Sequence, residues 1–291
     1  MMFSIILPTY NRDNLLSKAI ESVQNQTFED WELIIVDDGS TDNTVEVIKN
    51  YQSDLRIKYI YQENAERSTA RNNGIKNAKG QYICFLDSDD YYLSNHLSVF
   101  YNEIIKNYGQ KASIYFVNTW LEFGEKKELF SFNPDPSLKW QEQFLLSPIA
   151  PPRFCIHKDI LRSELFNPKI RIGEDTDLWV RIASFPVYYI PESTHVTCFH
   201  DGRSVSRENT KNYLENLYSK KNILRNIEVS QKVKAKVLHD AWFAVGQSYE
   251  ENRNFLKMVQ ALFYSGYYLP EYRLKEKLFM IYNNFKSHIL N

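Results

Sequence analysis

The chain has 291 residues, of which 43% are hydrophobic and 24% charged, and its formal net charge is −1. This composition is typical of a globular protein with one large α/β domain, or with one domain and a substantial appendage. The near-neutral charge gives no global support for nucleic-acid binding. No apolar stretch approaches the roughly 20 residues of a membrane-spanning helix, and the apolar start at 1–7 is too short for a signal peptide.

The cysteines and the distribution of charge indicate the cellular compartment of the chain and the kinds of ligand that it could bind. Cys84, Cys155 and Cys198 are far apart and odd in number. This pattern disfavours a zinc site or a disulfide framework and favours a reducing cytoplasm. From Arg207 to the end, 14 Lys and Arg stand against 8 Asp and Glu, a net charge of +6, so the preceding part carries −7. An acidic body is compatible with a metal site, and a basic tail with an anionic surface.

The first part of the chain alternates strands and helices. Apolar runs predict four strands, at residues 3–7, 31–36, 57–61 and 83–86. Helical spacing predicts the intervening helices, around 15–23, 45–48 and 67–78. The first strand is expected to stop at Pro8, which cannot donate to a ladder, and the third helix to be capped by Gly80. The alternation predicts a parallel sheet with right-handed crossovers, without the glycine-rich fingerprints of dinucleotide-binding or P-loop proteins.

The pattern changes after residue 90. The segments that follow predict a helix at 95–107, a strand at 112–120, a turn-rich excursion at 121–136, a short helix at 140–146, an irregular proline-rich stretch at 147–152 and an extended segment at 153–157. An acidic turn then leads into a helix at 171–181, and strands are expected at 187–190 and 196–200. From about residue 208 the pattern is helical throughout. One helix pair at 241–270 is weak support for a repeat, so we expect a packed helical appendage.

A cluster of three carboxylates follows the fourth predicted strand. Asp87, Asp89 and Asp90 occur within four positions, and carboxylates so close together repel one another unless a positive group lies among them. A divalent cation is the simplest such group, because hard cations take oxygen ligands. In open α/β sheets, ligands bind beyond the carboxyl ends of the strands, where this cluster is expected to lie. The alternative is a solvated acidic turn.

Five polar motifs follow one another along the chain, at residues 8–12 (PTYNR), 36–42 (VDDGSTD), 70–74 (ARNNG), 85–90 (FLDSDD) and 173–175 (GED). In this order and at these spacings, the chain strongly resembles glycosyltransferase family 2 over residues 1 to about 206. The resemblance implies the nucleotide-sugar-binding GT-A fold, an α/β fold with a mainly parallel central sheet flanked by helices. It also implies a metal-dependent donor site and inversion at the sugar carbon.

The resemblance suggests a division of the chain. A catalytic domain is expected at 1–206, with a nucleotide-binding part at 1–106 and an acceptor-binding part at 107–206. Residues 207–291 lie outside the resemblance and are expected to form a C-terminal helical region.

Donor-binding roles follow from the resemblance, each beside a simpler interpretation. Asp38 corresponds to the residue that accepts a hydrogen bond from the uracil ring N–H, and its alternative role is to cap a helix. Tyr10 is expected to stack on the base or simply to pack. Pro8, Thr9 and Arg12 are expected to line the same pocket.

Arg71 is expected to reach the nucleotide or its diphosphate, and its alternative is an ordinary surface arginine. In the Asp-Ser-Asp unit, Asp89 corresponds to the direct metal ligand. Asp87 corresponds to the carboxylate that contacts the ribose or the sugar, and Ser88 between them is assigned to donor binding. The metal, Mn²⁺ or Mg²⁺, is expected to bridge diphosphate oxygens. Asp90 is expected to support the site rather than to bind the metal.

The acceptor hydroxyl needs a base, and Asp175 matches the base of the family. Glu174 is the alternative, since adjacent acids are not distinguished by sequence, and both residues are also suited to starting a helix. His200 is expected to approach the metal or the diphosphate, and Arg203 in the following loop to bind diphosphate. A structural role is the alternative for His200. The remaining histidines that we considered, His96, His157 and His195, are expected to be structural.

The main functional hypothesis is an inverting glycosyltransferase of surface polysaccharide synthesis. It would move a sugar from a nucleotide donor, with a mild preference for UDP, to a hydroxyl of a glycan or lipid-linked saccharide. The alternatives are a sugar-phosphate nucleotidyltransferase, disfavoured because residues 8–12 lack a phosphate loop with Gly and Lys, and a non-catalytic sugar-binding protein. We expect a cytoplasmic location, with the basic C-terminal region either contacting the inner face of the membrane, packing on the catalytic domain or forming a homodimer.

Overall fold

The computed structural model describes residues 1–107, 112–200, 210–269 and 271–289, and the side chains of this last range as far as Ile281. Within these ranges, nine strands join in one sheet. They are β1 Phe3–Thr9, β2 Trp31–Asp37, β3 Ile57–Tyr61, β4 Tyr82–Phe85, β5 Tyr91–Tyr92, β6 Ile114–Phe123, β7 Lys126–Phe130, β8 Phe154–His157 and β9 Val187–Phe199.

The strands lie in the order β3-β2-β1-β4-β8-β6-β9-β5, and β7 pairs with β6 alone. The first four strands of this order run parallel, as the alternation of strands and helices predicted. β8 is antiparallel to both of its neighbours, whereas β6 and β9 are parallel. The two longest ladders, β1 with β2 and β6 with β9, are parallel. The predicted α/β fold with a mainly parallel central sheet is therefore confirmed.

Helices cover the sheet before the C-terminal region. They are α1 Leu16–Gln24, α2 Thr44–Lys49, α3 Glu66–Asn77, α4 His96–Lys106, α5 Trp140–Leu146, α6 Lys158–Ser163 and α7 Glu174–Ile182. Four longer helices follow, α8 Thr210–Asn226, α9 Gln231–Glu251, α10 Phe255–Tyr268 and α11 Leu274–Ile289. Among the residues that the structure describes, none of these helices has the length and apolar character of a membrane-spanning segment.

Two local expectations about proline and glycine were wrong. β1 continues through Pro8, which is in register with Val36 of β2. The ladder with β4 ends where Ile6 meets Phe85, so the side of Pro8 that lacks an N–H faces no ladder partner. Gly80 does not cap α3, which ends at Asn77. Its role is close packing, because a Cβ there would lie 2.5 Å from the backbone nitrogen of Ser4.

The strands after residue 107 also differ from the expectation. The turn-rich excursion predicted at 121–136 contains the end of β6 and all of β7, which form a hairpin around Gly124. Every residue of β7 is exposed, so no apolar alternation marks it in the sequence. The two strands predicted at 187–190 and 196–200 are the single strand β9. A register shift leaves Pro191 without a partner in β6, and this bulge lets the strand continue.

The C-terminal helices share the hydrophobic core of the sheet. Leu217 of α8 and Val237 and Val245 of α9 belong to the same buried cluster as Phe144 and Trp179. α8 contacts α7, and α9 contacts α5. These contacts fit the expected packing of the tail on the catalytic domain, and the division at residue 206 stays a prediction.

Candidate active site

A cleft opens beyond the carboxyl ends of β1, β2 and β4, next to the start of α3. Its cavity has a volume of about 340 Å³. The predicted residues that line it are Pro8, Thr9, Tyr10, Arg12, Asp38, Arg71, Asp87, Ser88 and Asp89. The structure therefore brings together side chains that are up to 81 positions apart in the sequence. Arg203 lies outside the described residues.

The turns after β1 and β2 hold one another in place. Asn11 has a left-handed backbone with φ of 51°, its N–H donates to Ser40 Oγ at 2.9 Å, and its Oδ1 accepts from the N–H of Thr41 at 2.8 Å. Gly39 has φ of +83°, and a Cβ there would lie 2.9 Å from the backbone nitrogen of Asn64. The 8–12 and 36–42 motifs are thus joined by hydrogen bonds and form one wall of the cleft. Glycine is required at position 39, where φ is positive and the backbone lies close to Asn64.

Asp38 is a buried residue of this wall, and 5% of its surface is exposed. Its Oδ1 accepts from Gln62 Nε2 at 2.6 Å and from the N–H of Ala65 at 2.9 Å. Ala65 directly precedes α3, so Asp38 does contact a helix start, as its alternative interpretation proposed. Both bonds use Oδ1, and Oδ2 has no hydrogen-bond partner among the described residues. One carboxylate oxygen therefore fixes the local backbone, and the other is left for a donor from the cleft.

Thr9 and Tyr10 differ in exposure. Thr9 is 3% exposed, and its buried Oγ1 has no hydrogen-bond partner within the described residues. Tyr10 keeps 47% of its surface exposed at the rim of the cleft. An exposed ring at the rim of a polar cavity is compatible with stacking on a base, whereas a packing role would bury the ring.

Arg71 lines the cleft and connects Asp87, another lining residue, with Glu174 at the start of α7. It is 3% exposed, so it is not a surface arginine. Its Nη2 lies 2.8 Å from Asp87 Oδ1, and its Nη1 lies 3.2 Å from Glu174 Oε1. Burial opposes the guanidinium charge, but the carboxylates of Asp87 and Glu174 outweigh burial and raise the pKa of Arg71. Arg71 therefore supplies part of the positive charge that the three carboxylates after β4 were expected to need.

Glu174 and Asp175 occupy different environments at the start of α7. Glu174 is 5% exposed and pairs with Arg71 and with Arg67, whose Nε lies 3.4 Å from Glu174 Oε1. Asp175 is half-buried, and its Oδ1 accepts from the N–H of Thr176 at 2.6 Å. Burial, and then the charge of Glu174, raise the pKa of Asp175 to about 6. Asp175 is therefore the member of the pair that is suited to accept a proton near neutral pH.

Asp89 and Asp90 point to different partners. Asp89 lines the cleft, and its Oδ2 lies 3.2 Å from His200 Nε2. Asp90 is buried away from the cleft, where its Oδ1 accepts from the N–H of Cys198 at 3.0 Å and its Oδ2 lies 3.3 Å from His195 Nε2. Burial raises the pKa of Asp90 although His195 opposes the shift. Asp90 thus ties the acidic motif to β9.

The other histidines expected to be structural are also placed in the protein interior. His96 and His195 are 0% exposed. His96 Nδ1 lies 2.7 Å from Thr194 Oγ1, and His195 Nδ1 lies 2.9 Å from Thr119 Oγ1. These contacts join α4, β6 and β9 beneath the cleft.

The donor set at the cleft fits a divalent cation only in part. Asp89 offers carboxylate oxygens, and His200 offers an imidazole nitrogen. Mn²⁺ accepts both types of ligand, whereas Mg²⁺ prefers oxygen. Among the described residues, no three Asp, Glu, His or Cys side chains come together as a complete metal site. The residues present therefore fit a cation that takes the rest of its ligands from a bound diphosphate and from water.

Two basic residues of the cleft were missed by sequence reasoning. Arg67 and Arg171 both line the cavity. Arg67 Nη2 donates to the carbonyl of Arg171 at 3.3 Å, and Arg171 Nε lies 3.6 Å from Glu66 Oε1. Arg67 precedes Arg71 by four residues, a spacing that places both side chains on one face of α3. This spacing could have predicted that Arg67 lines the cleft together with Arg71. Arg171 had no such signal, because it reaches the cleft through tertiary packing alone.

Comparisons with known proteins agree with this geometry. The family model described as Glycosyl transferase family 2 matches residues 4–162. A glycosyltransferase of Rickettsia bellii is 38% identical over 185 residues, which cover 62% of this chain and 26% of that protein. The chain thus spans about a quarter of the length of that relative.

A second relative is similar over almost its whole length. The GalNAc(5)-diNAcBac-PP-undecaprenol beta-1,3-glucosyltransferase of Campylobacter jejuni is 30% identical over 275 residues, which cover 90% of this chain and 87% of that protein. Among solved structures, residues 1–349 of S. aureus TarS match with a TM-score of 0.67 and 17% identity, covering 99% of this chain and 90% of that one. This structural likeness supports the GT-A fold. With more than half of its residues matched by the family model, the chain belongs to glycosyl transferase family 2.

Proposed function

We propose that the chain is an inverting glycosyltransferase that moves a sugar from a UDP-sugar to a hydroxyl of a lipid-linked saccharide, with Mn²⁺ or Mg²⁺ as cofactor. One observation carries the proposal. Arg71 joins Asp87 on the donor side of the cleft to Glu174, which directly precedes Asp175. This chain of contacts supports the assignment of the donor-binding residues and of Asp175, whose pKa is raised to about 6, to one site.

The donor contacts divide between base, sugar and diphosphate. Asp38 is assigned to the uracil N–H, a role supported by its Oδ2, which has no hydrogen-bond partner among the residues that the structure describes. Tyr10 is assigned to stacking on the base. Asp87 and Ser88 are assigned to the ribose and sugar side of the donor, and Arg12 to the diphosphate. Arg67 and Arg171 add positive charge to the same cavity, which favours an anionic ligand.

Asp89 and His200 would hold the cation. When bound, it neutralises charge that develops on the departing nucleoside diphosphate. Asp89 and His200 are already adjacent, so the protein presents both ligand types on one wall. Asp87 is held by Arg71 at 2.8 Å, which supports its assignment to the donor rather than to the cation.

Asp175 is assigned to deprotonate the acceptor hydroxyl. The hydroxyl oxygen forms a bond to the anomeric carbon while the bond from that carbon to the diphosphate oxygen breaks. The hydroxyl proton passes to the Asp175 carboxylate, and the products are a glycoside and UDP. A single displacement of this kind inverts the configuration at the anomeric carbon. Glu174 is less suited to be the base, because its carboxylate is already paired with Arg67 and Arg71.

The acceptor class is supported by the C. jejuni relative, whose name specifies an undecaprenol-linked saccharide. That relative is similar over 90% of this chain, which is more than the part that the family model matches. We therefore assign a polyprenyl-diphosphate-linked saccharide as the acceptor, and surface polysaccharide synthesis as the setting.

A donor screen tests the proposal and separates it from the alternatives. UDP-, GDP- and TDP-sugars are incubated with the chain, a lipid-linked saccharide and Mn²⁺ or Mg²⁺, and release of nucleoside diphosphate is measured. We expect release from a UDP-sugar. Release of inorganic diphosphate from UTP and a sugar phosphate would instead identify a nucleotidyltransferase. Binding of a donor without turnover under any condition would identify a sugar-binding protein.

A further inference from the structure

The outer side of α10 carries an exposed row of large apolar side chains. Leu256, Phe263 and Tyr267 keep 81%, 71% and 76% of their surface exposed. Their spacing of seven and four residues places them on one side of the helix. The solvent-facing side of a helix in a globular protein is normally polar. A row of this kind therefore indicates a surface that another molecule or phase covers.

The charged residues of α10 and of the groove beside it are lysines. The helix, Phe255–Tyr268, contains no Asp or Glu and a single cation, Lys257. A groove of about 490 Å³ adjoins it, with walls from α8, α9 and α10. Among the residues that the structure describes, the lining of this groove includes Lys221 and Lys257 and no carboxylate. We call the exposed row of Leu256, Phe263 and Tyr267 together with this groove the α10 face. An anionic partner is the complement of this face.

Aromatic rings lie beside these lysines. Trp242 stacks on Tyr264 with ring centroids 4.7 Å apart. Lys221 Nζ lies 4.7 Å from the centroid of the Trp242 ring, and Lys257 Nζ lies 5.6 Å from that of Tyr249. Trp and Tyr side chains are enriched at the boundary between lipid headgroups and acyl chains, and long Lys side chains reach from there to the phosphates.

We propose that the α10 face docks on a lipid bilayer that contains anionic lipids. Leu256, Phe263 and Tyr267 enter the boundary between headgroups and acyl chains, as the apolar side of an interfacial helix does. Lys221 and Lys257 contact the lipid phosphates. The inference goes beyond the proposed reaction and is consistent with it, because a bilayer is where a lipid-linked acceptor resides.

A second copy of the chain is a poorer occupant. A two-fold dimer through the α10 face would place the same surface patch against itself. Lys221 and Lys257 would then lie against a patch that carries the same two lysines. Among the described residues, the lining of the groove offers no carboxylate to pair with them. A bilayer with anionic headgroups supplies the missing charge.

Vesicle sedimentation of the full chain tests the proposal without donor or acceptor, so that its failure is separate from failure of the proposed activity. Phosphatidylcholine vesicles with and without phosphatidylglycerol are compared at low and high salt. We expect binding to the vesicles with phosphatidylglycerol that weakens as salt rises. The double variant Phe263→Ser/Tyr267→Ser is expected to lower the partition coefficient by about tenfold or more. Lys221→Gln and Lys257→Gln are each expected to lower it roughly fivefold.

Leu55→Ser is the matched control, because Leu55 is 92% exposed and lies outside the α10 face. It is expected to bind vesicles as the wild type does, and circular dichroism checks that every variant is folded. Absence of vesicle binding by the folded wild type at low salt would overturn the proposal. Equal loss in the Leu55→Ser control would do the same. A third contrary result is a dimer in solution that Phe263→Ser/Tyr267→Ser dissociates while vesicle binding stays unchanged.

Discussion

Asp175 is the residue on which the proposed chemistry depends. Its pKa is raised to about 6 by burial and by the neighbouring Glu174 charge. A raised pKa means that the carboxylate is protonated over a wider range of acidic pH, and a protonated Asp175 cannot accept the acceptor proton. We therefore predict that kcat/KM is at its plateau above about pH 7, is half of its plateau value near pH 6 and falls as the pH decreases further.

The pH dependence of transfer from a UDP-sugar checks this prediction. Asp175→Asn is expected to remove the acid limb and to lower kcat about 10²–10⁴-fold, the usual contribution of a general base. Glu174→Gln is the matched variant. It is expected to keep the limb, because Asp175 remains, but to shift it to lower pH, because the Glu174 charge that helps to raise the pKa of Asp175 is lost. A limb that disappears in Glu174→Gln but persists in Asp175→Asn would assign the base to Glu174 instead.

Arg71 is predicted to stabilise the fold as well as the site. Arg71→Met removes the guanidinium that contacts Asp87. Glu174, which is 5% exposed, then keeps only the more exposed Arg67 as an ion-pair partner among the described residues. Loss of one partner of a buried ion pair leaves the cost of burying the other charge uncompensated. Because Arg67 still pairs with Glu174, we expect a loss of about 3 kcal/mol, at the low end of the usual range. Urea unfolding measures the free energy of unfolding.

Arg162→Met is the control for this variant. Arg162 pairs with Asp159 at 2.9 Å, but their side chains are 69% and 54% exposed, so the expected cost is about 0–1 kcal/mol. Equal free energies of unfolding for the Arg71 and Arg162 variants would refute the structural role of Arg71.

The site was predictable at the level of residue type and less so at the level of contacts. The nine predicted residues from Pro8 to Asp89 all line the cleft, because the ends of parallel strands meet at one edge of a sheet. The sequence could not show that Asp90 leaves the cleft for His195, since this pairing joins residues 105 positions apart. Arg171 was missed for the same reason.

At the scale of elements, the turn before α7 places the proposed base. Gly173 has φ of +82° and forms the N-cap of α7, and a Cβ there would lie 3.2 Å from Ser219 Oγ on α8. Gly173→Ala is predicted to cost about 1–2 kcal/mol for the left-handed backbone. It is also predicted to lower kcat, because relief of the contact with α8 moves the start of the helix that carries Asp175.

Gly124→Ala separates these two effects. Gly124 also has positive φ, +61°, but a Cβ there meets nothing within 4 Å. We expect a similar loss in the free energy of unfolding with unchanged turnover. Thermal unfolding and steady-state rates on both variants make the comparison, and equal turnover in both would contradict the positioning role of this turn.

Elements with strong apolar periodicity were predicted well, and those without it were not. The strand at 57–61 and the helix at 140–146 have the predicted bounds. β7 was missed because all five of its residues are exposed and its pairing with β6 is set by the hairpin turn. β9 was divided at Pro191, since a bulge that accommodates a proline is visible only once the partner strand is known.

At the scale of the whole molecule, the C-terminal helices belong to the core. Leu217, Val237 and Val245 are buried together with Phe144 and Trp179, and Glu142 Oε1 accepts from the N–H of Ser230 at 2.8 Å. A chain that ends at residue 206 would expose this apolar surface to water. We predict that it loses the cooperative thermal transition of the full chain, as measured by calorimetry. A soluble 1–206 fragment with an unchanged transition would instead establish the predicted domain boundary.

The anomeric configuration of the transferred sugar tests the central claim most directly. The chain is incubated with an α-configured UDP-sugar, a lipid-linked saccharide and Mn²⁺, with a chelator-treated sample as the blank, and the product is analysed by proton NMR. We predict a β-linked product that forms only with the divalent cation. An α-linked product, or equal product in the chelator-treated sample, would contradict a metal-dependent single displacement with Asp175 as base.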